Sequence, residues 1–125
     1  MQPRQTNALP IWRDAQRLLL AVERAVSTFP RRHRFGLGED LRRLAQRICR
    51  RVNRAWRAPA MRQVELERLV WDVDDLKTLL QLGKELRVFS SFREFQDLAE
   101  LAVQLGKQSG GWRRRLGTQP EVRPS

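Results

Sequence analysis

The chain has very few of the residues from which active sites and metal centres are usually assembled. Of 125 residues only Cys49 is a cysteine and only His33 a histidine, and tyrosine is absent. A lone cysteine excludes an intrachain disulfide. One Cys with one His cannot supply the ligand set of a zinc or iron site. Cys49 falls beside Ile48 on a core stripe and reads as a small buried apolar residue. No glycine-rich phosphate loop and no nucleophile elbow is present. Asp72, Asp74 and Asp75 are close in sequence, but neighbouring helical positions point in different directions, so a solvated face is expected there rather than a cation site. These gaps point away from an enzyme and from any metal or cofactor. No apolar run approaches the roughly 20 residues of a membrane span. No hydrophobic signal segment follows Met1–Gln5. A cytoplasmic protein without membrane contact is expected.

What the chain has in excess is arginine. The net charge is +11, and all but three of its 25 cations are Arg. The charge is lopsided: residues 1–62 carry fifteen Arg against Asp14, Glu23, Glu39 and Asp40, whereas residues 63–125 are neutral. Arginine forks onto phosphates and stacks on bases, so an asymmetric Arg-rich field points to a polyanion, nucleic acid first. A compositional preference for Arg would give the same count.

Val, Ile and Thr are sparse and no strand alternation is visible, whereas four stretches carry helical periodicity. The first begins near Pro10, a residue suited to the first turn of a helix. It carries Ile11, Ala15, Leu18, Val22 and Ala25 and ends before Phe29–Pro30. The second starts around Gly38, with Glu39 and Asp40 at the positive end of its dipole. It carries Leu37, Leu41, Leu44, Ile48, Val52 and Ala55 and closes at Pro59. The third runs from Met61 to the region of Gly83 on Leu66, Leu69, Val73, Leu76 and Leu80. The fourth follows Ser91-Phe92-Arg93-Glu94, a capping-box pattern, and Gly110–Gly111 is expected to stop it. The spacing predicts an all-α, antiparallel up-down-up-down four-helix bundle over residues 9–112. A flexible N-terminus (1–8) and a disordered basic tail (113–125) flank it.

Two helix faces exceed what a lone bundle needs. Arg43, Arg47, Arg50, Arg54 and Arg57 recur at spacings of 4, 3, 4 and 3, opposite the second helix's apolar stripe, with Arg51 beside them. Few acids lie nearby, so little internal pairing is expected and a bound phosphate backbone would relieve the repulsion. A solvated face, or pairing with Glu65, Glu67, Asp72, Asp74 and Asp75 across a subunit contact, would account for the stripe equally. Arg31, Arg32 and Arg34 add cations in the turn before it. On the third helix Trp71, Leu79, Leu82 and Leu86 form a second apolar face, and Trp12 begins a similar line on the first. An oligomer interface is expected there, with a thicker core as the alternative.

The turn Phe29-Pro30-x-x-His33-x-Phe35-x-Leu37-Gly38 resembles the Phe-Pro-Lys-x-x-Arg-Phe-x-Leu-Gly turn of a family of small four-helix bundles. That family includes proteins encoded in ribosomal-RNA intervening sequences and Avd, the accessory variability determinant of diversity-generating retroelements. Leu66-Glu67-Arg68-Leu69 with Leu76–Leu80, Gly83-Lys84-Glu85-Leu86-Arg87 and Gly110-Gly111-Trp112 fit the same family, and the likeness covers residues 9–116. The resemblance implies a bundle assembled as a homopentameric barrel without catalytic residues. It also implies two partners: the retroelement reverse transcriptase, and the template-repeat RNA or its RNA/DNA hybrid during mutagenic cDNA synthesis. A protein–protein adaptor bundle without a nucleic-acid role is the alternative.

Overall fold

A computed structural model describes residues 9–117, and these are helical apart from short connections. Helix α1 spans Pro10–Ser27, a single turn α2 Arg31–Arg34, α3 Leu37–Arg57, α4 Arg62–Glu85 and α5 Phe92–Gly117. A 3₁₀ turn, Pro59–Met61, joins α3 to α4. Each long helix packs on its neighbour in the chain, and α5 closes the ring on α1. The pairings run antiparallel. Ala15 meets Cys49 while Glu23 meets Arg42, and Asp14 meets Gln108. Lys84 sits over the Phe95 ring while Lys77 lies against Gly106.

The core follows the periodicity. Every α1 and α4 stripe residue named above is buried, as are Leu41, Leu44, Ile48, Val52 and Ala55 of α3. From α5, Phe95, Leu98, Ala102 and Leu105 complete it. Each fully buried Leu contributes roughly 1.5–3 kcal/mol from removed apolar surface. Helix ends behave as their residues dictate. Pro10 occupies the first turn of α1. The Ser91 hydroxyl accepts from the Glu94 N–H at 3.1 Å, and the Glu94 carboxylate accepts from the Ser90 N–H at 3.0 Å. Arg62 donates to the carbonyls of Ala55 (2.6 Å) and Trp56 (3.1 Å), which places a cation on the negative end of α3.

The two turns at one end of the bundle lock together. Phe29 is fully buried and meets Phe89 edge-on at 5.5 Å, and Phe89 in turn packs on Phe95 at 5.8 Å. Gly38 and Gly83 make this approach possible. A Cβ on Gly38 would stand 2.7 Å from Val26 Cγ1, and one on Gly83 would stand 2.9 Å from the Phe89 ring. Gly83 is thus a packing glycine in the last turn of α4, which ends two residues later, near where the periodicity placed its end. The left-handed residue that stops α4 is Arg87, at φ 58°. Its N–H donates to the Lys84 carbonyl (3.0 Å) and the Val88 N–H to the Gly83 carbonyl (3.1 Å), a complete Schellman pair.

The expected stop at Gly110–Gly111 is overturned: α5 continues through both to Gly117. Two helical glycines cost about 1 kcal/mol each relative to Ala. The helix persists because Trp112 and Leu116, beyond them, pack against the core. Residues 113–117 of the expected disordered tail are thus helical, while 1–8 and the remainder of the tail lie outside the described residues.

Candidate nucleic-acid interface

The arginines of α3 divide into two sets. Arg47, Arg51 and Arg54 lean toward α4, which presents Glu65 and Asp72 seven residues apart on the facing side. The Glu65 side chain is 1 % exposed and that of Asp72 8 %. Arg47 grips Asp72 with two N–H groups, at 3.2 and 3.3 Å. Arg51 spans both acids, donating through Nε to Asp72 and through Nη1 to Glu65 at 3.2 Å. Arg54 reaches Glu65 at 3.6 Å. Burial pulls the Arg51 pKa down, but bonds and charge from Asp72 and Glu65 outweigh it and hold the guanidinium above its ordinary value.

The expectation of little internal pairing along the stripe is therefore overturned. Pairing with Glu65 and Asp72 is real, and it occurs within one chain between α3 and α4. Asp72 also leaves the solvated face assigned to it, whereas Asp74 and Asp75 remain exposed. The signal lay in the sequence: Glu65 and Asp72 are one heptad apart and flank the Leu66, Leu69 and Val73 stripe, a spacing that keeps both on one side of a helix.

The second set is Arg43, Arg50 and Arg57. Spaced by seven, they stand in one exposed line along α3, directly opposite its buried stripe. At 1.5 Å per residue the line covers about 21 Å. Arg43 contacts Glu39 at 3.4 Å with its side chain still 71 % exposed. Arg50 and Arg57 make no ion pair among the described residues. In α2, Arg31 and Arg32 are exposed, and Arg32 Nε donates to His33 Nε2 at 3.2 Å. Arg34 turns inward and donates to the Phe29 carbonyl at 3.3 Å, so it braces the turn. Arg13 and Arg24 of α1 are exposed too, but Arg24 lies on the α5 side, in a cleft it shares with Glu94 and Asp97.

Neither known family models nor curated proteins gave a match to this chain. Its chemistry is therefore read from its own residues. Cys49 is buried, donates its thiol to the Ala15 carbonyl at 3.3 Å, and has its pKa pushed up to about 11 by desolvation, with Arg50 opposing weakly. Such a thiol is a packing group, not a nucleophile. No group of acidic, His and Cys side chains among the described residues could hold a metal. No helix among them is long and apolar enough to cross a membrane.

The proposed interface residues also separate. Trp12 and Leu79 are half-buried and pack against the core. Trp71, Leu82 and Leu86 are exposed, at 68, 50 and 47 %. Val64 joins Trp71 and Leu82 on the outer side of α4, at i−7 from Trp71.

Proposed function

We propose that this chain is a non-enzymatic accessory protein of a diversity-generating retroelement. In this reading it binds template RNA through α3 and α2, and the reverse transcriptase through a neighbouring surface. The observation that carries the nucleic-acid role is the Arg43–Arg50–Arg57 line, outward-facing cations on a chain of net charge +11. The retroelement assignment draws on the resemblance of the Phe29–Gly38 turn. A homopentamer would gather five copies of the line into one basic surface, on which phosphate neutralisation positions RNA beside the polymerase. Such binding is salt-dependent: three contacts to a single strand give a log–log slope of about −2, roughly a twentyfold loss between 50 and 200 mM salt.

The test follows from the division of the arginines. Arg43→Glu, Arg50→Glu and Arg57→Glu together should weaken single-stranded RNA binding at least tenfold by fluorescence anisotropy. Helicity should stay unchanged and melting fall by only a few degrees, because none of the three joins the α3–α4 ion pairs and only the exposed Arg43–Glu39 pair and the favourable charge at the helix end are lost. Retained affinity in the folded triple variant refutes the assignment. Native mass spectrometry of the complex from its host should give five chains with one reverse transcriptase and an RNA.

One observation favours a second reading, an oligomeric adaptor without a nucleic-acid role: the exposed Val64, Trp71 and Leu82 on α4, with Leu86 just past its end, suit a protein interface. A bare oligomer free of RNA after purification without nuclease would support it.

A further inference from the structure

Of the four tryptophans, Trp12, Trp56 and Trp112 are half-buried and Trp71 alone is exposed. Its setting on α4 is unusual for a large apolar side chain. The residues beside it on the helix surface, three and four positions away, are Glu67, Arg68, Asp74 and Asp75, all charged and exposed. A dry protein contact is marked by a contiguous apolar patch, and an indole ringed by charge does not make one. Such a ring suits a partner with flat apolar faces, polar edges and a charged frame.

The ion pairs between α3 and α4 fix where this indole stands. Asp72 is bonded by both Arg47 and Arg51, so it lies at the level between them, beside Arg50 in the middle of the outer arginine line. Trp71 is one residue away, a rise of about 1.5 Å. Arg68 lies between Glu65 and Asp72 in the sequence, on the side of α4 that faces α3, and is exposed. Three residues before Trp71, it is the indole's neighbour, with about 5–6 Å between the two Cβ atoms. Arg68 joins no ion pair and Trp71 no ring contact among the described residues. The acids stand elsewhere. Glu67 and Asp74 are each two positions past Glu65 and Asp72, about 200° round the helix on the flank away from α3. Asp75 lines a cleft with Arg43 and Arg47. From the α3 side, Trp71 is thus approached across cations.

We propose that Trp71 is a stacking platform for a base of single-stranded nucleic acid. A phosphate of that strand meets Arg68, and its neighbours continue onto the Arg43–Arg50–Arg57 line. The inference rests on the RNA reading and adds to it a contact that distinguishes a strand with bases from a bare polyanion. Single-strand sites combine a cationic track for the backbone with an aromatic face for the bases, and every base offers such a face, so the contact is tolerant of sequence.

Fluorescence anisotropy of the full chain with a short oligodeoxyadenylate, and with an abasic strand of the same length, tests the proposal. Trp71→Ala should weaken the adenylate strand at least fivefold, the low end of the cost of losing one stacked base. It should leave the abasic strand, the melting temperature and the salt slope unchanged, because no phosphate contact is removed. Trp71→Phe should keep most of the affinity, and Trp71→Leu should lose as much as Trp71→Ala. The adenylate strand should also quench part of the parent's tryptophan emission, and Trp71→Phe should abolish that quenching. Equal losses on the two strands, or affinity retained by Trp71→Leu, assign Trp71 to apolar packing and overturn the proposal. An oligomer that Trp71→Ala dissociates in sedimentation assigns the indole to a contact between copies and overturns it as well. So does parent-like binding by Trp71→Ala while the Arg43, Arg50 and Arg57 charge-reversal variant binds neither strand, in which case the RNA reading stands without it. A parent that binds neither strand overturns that reading, and this inference with it.

Discussion

Replacing Asp72 with asparagine should destabilise the protein by about 2–3 kcal/mol. The carboxylate accepts two N–H groups from Arg47 and one from Arg51, with its own side chain only 8 % exposed. Breaking a buried ion pair by removing one partner costs roughly 3–5 kcal/mol. Two features bring the figure down here. Arg47 is 44 % exposed and largely screened by water. Arg51, at 16 %, keeps Glu65 as a partner. Asparagine keeps one acceptor oxygen but turns an amide donor toward guanidinium donors, so only part of the lost bonding is remade. For a domain of this size 2–3 kcal/mol lowers the melting temperature by about 10 °C. Urea unfolding followed by helical circular dichroism would read it as a midpoint shift of about 1–2 M. A companion variant, Arg51→Met with Glu65→Leu and Asp72→Leu, removes the buried charges together and leaves Arg47 and Arg54 free to face water. It should fall within about 1 kcal/mol of the parent, because a well-packed apolar replacement avoids the desolvation cost. An Asp72→Asn loss below 0.5 kcal/mol by the same extrapolation, or a triple variant as unstable as the single one, refutes this reasoning.

Gly38→Ala should destabilise by about 1–2 kcal/mol, since the new Cβ would stand 2.7 Å from buried Val26 and overpacking exceeds the helix-propensity gain. A raised melting temperature would disprove the close-approach argument. Arg87→Gly should instead stabilise by about 1 kcal/mol, because it relieves the left-handed conformation at φ 58° without disturbing the Schellman bonds, and thermal melting would read it. Cys49 should resist iodoacetamide in the folded protein at pH 7.5 and react once unfolded, as mass spectrometry would record. Its thiol pKa rises from 9.0 to about 11 on folding, so the unfolded chain ionises first. The resulting stability is present below pH 9 and lost as pH climbs through 11, by up to about 3 kcal/mol. The urea midpoint of the parent should therefore fall relative to Cys49→Ser over that window.

Much of the fold was written in the apolar stripes, because a spacing of three and four selects one helix face and that face has to be buried. Pro10 and the Ser91–Glu94 box act as local signals, and both sit at helix starts in the structure. The glycines were less legible. Gly83 does lie in the last turn of α4 but serves a close packing contact there, whereas Gly110–Gly111, with the same local preference for a helix end, is carried by Trp112 and Leu116 beyond it. Arg87 occupies a position that favours Gly, so its role was hidden by its own side chain. In the candidate site, the periodicity of the α3 arginines identified a face but not its neighbours. Which of them turn inward depends on how α4 is rotated against α3, and that is a tertiary property. The half-open pocket between Ile11, Trp56, Arg62 and Trp112 gathers residues from four helices, and no single window contains its pattern.

The clasp of Arg47, Arg51 and Arg54 on Glu65 and Asp72 does more than join two helices. It fixes how α4 is rotated against α3, since turning Glu65 and Asp72 farther inward would strand both carboxylates among the apolar core residues. The outer arginine row of α3 and the outer apolar row of α4 are consequently held at a fixed offset, like two tracks of one gauge. A partner that needs both rows reads them as a single composite surface. Mutations within the clasp, out of reach of any partner, would then change the gauge and uncouple the two rows while leaving each of them intact.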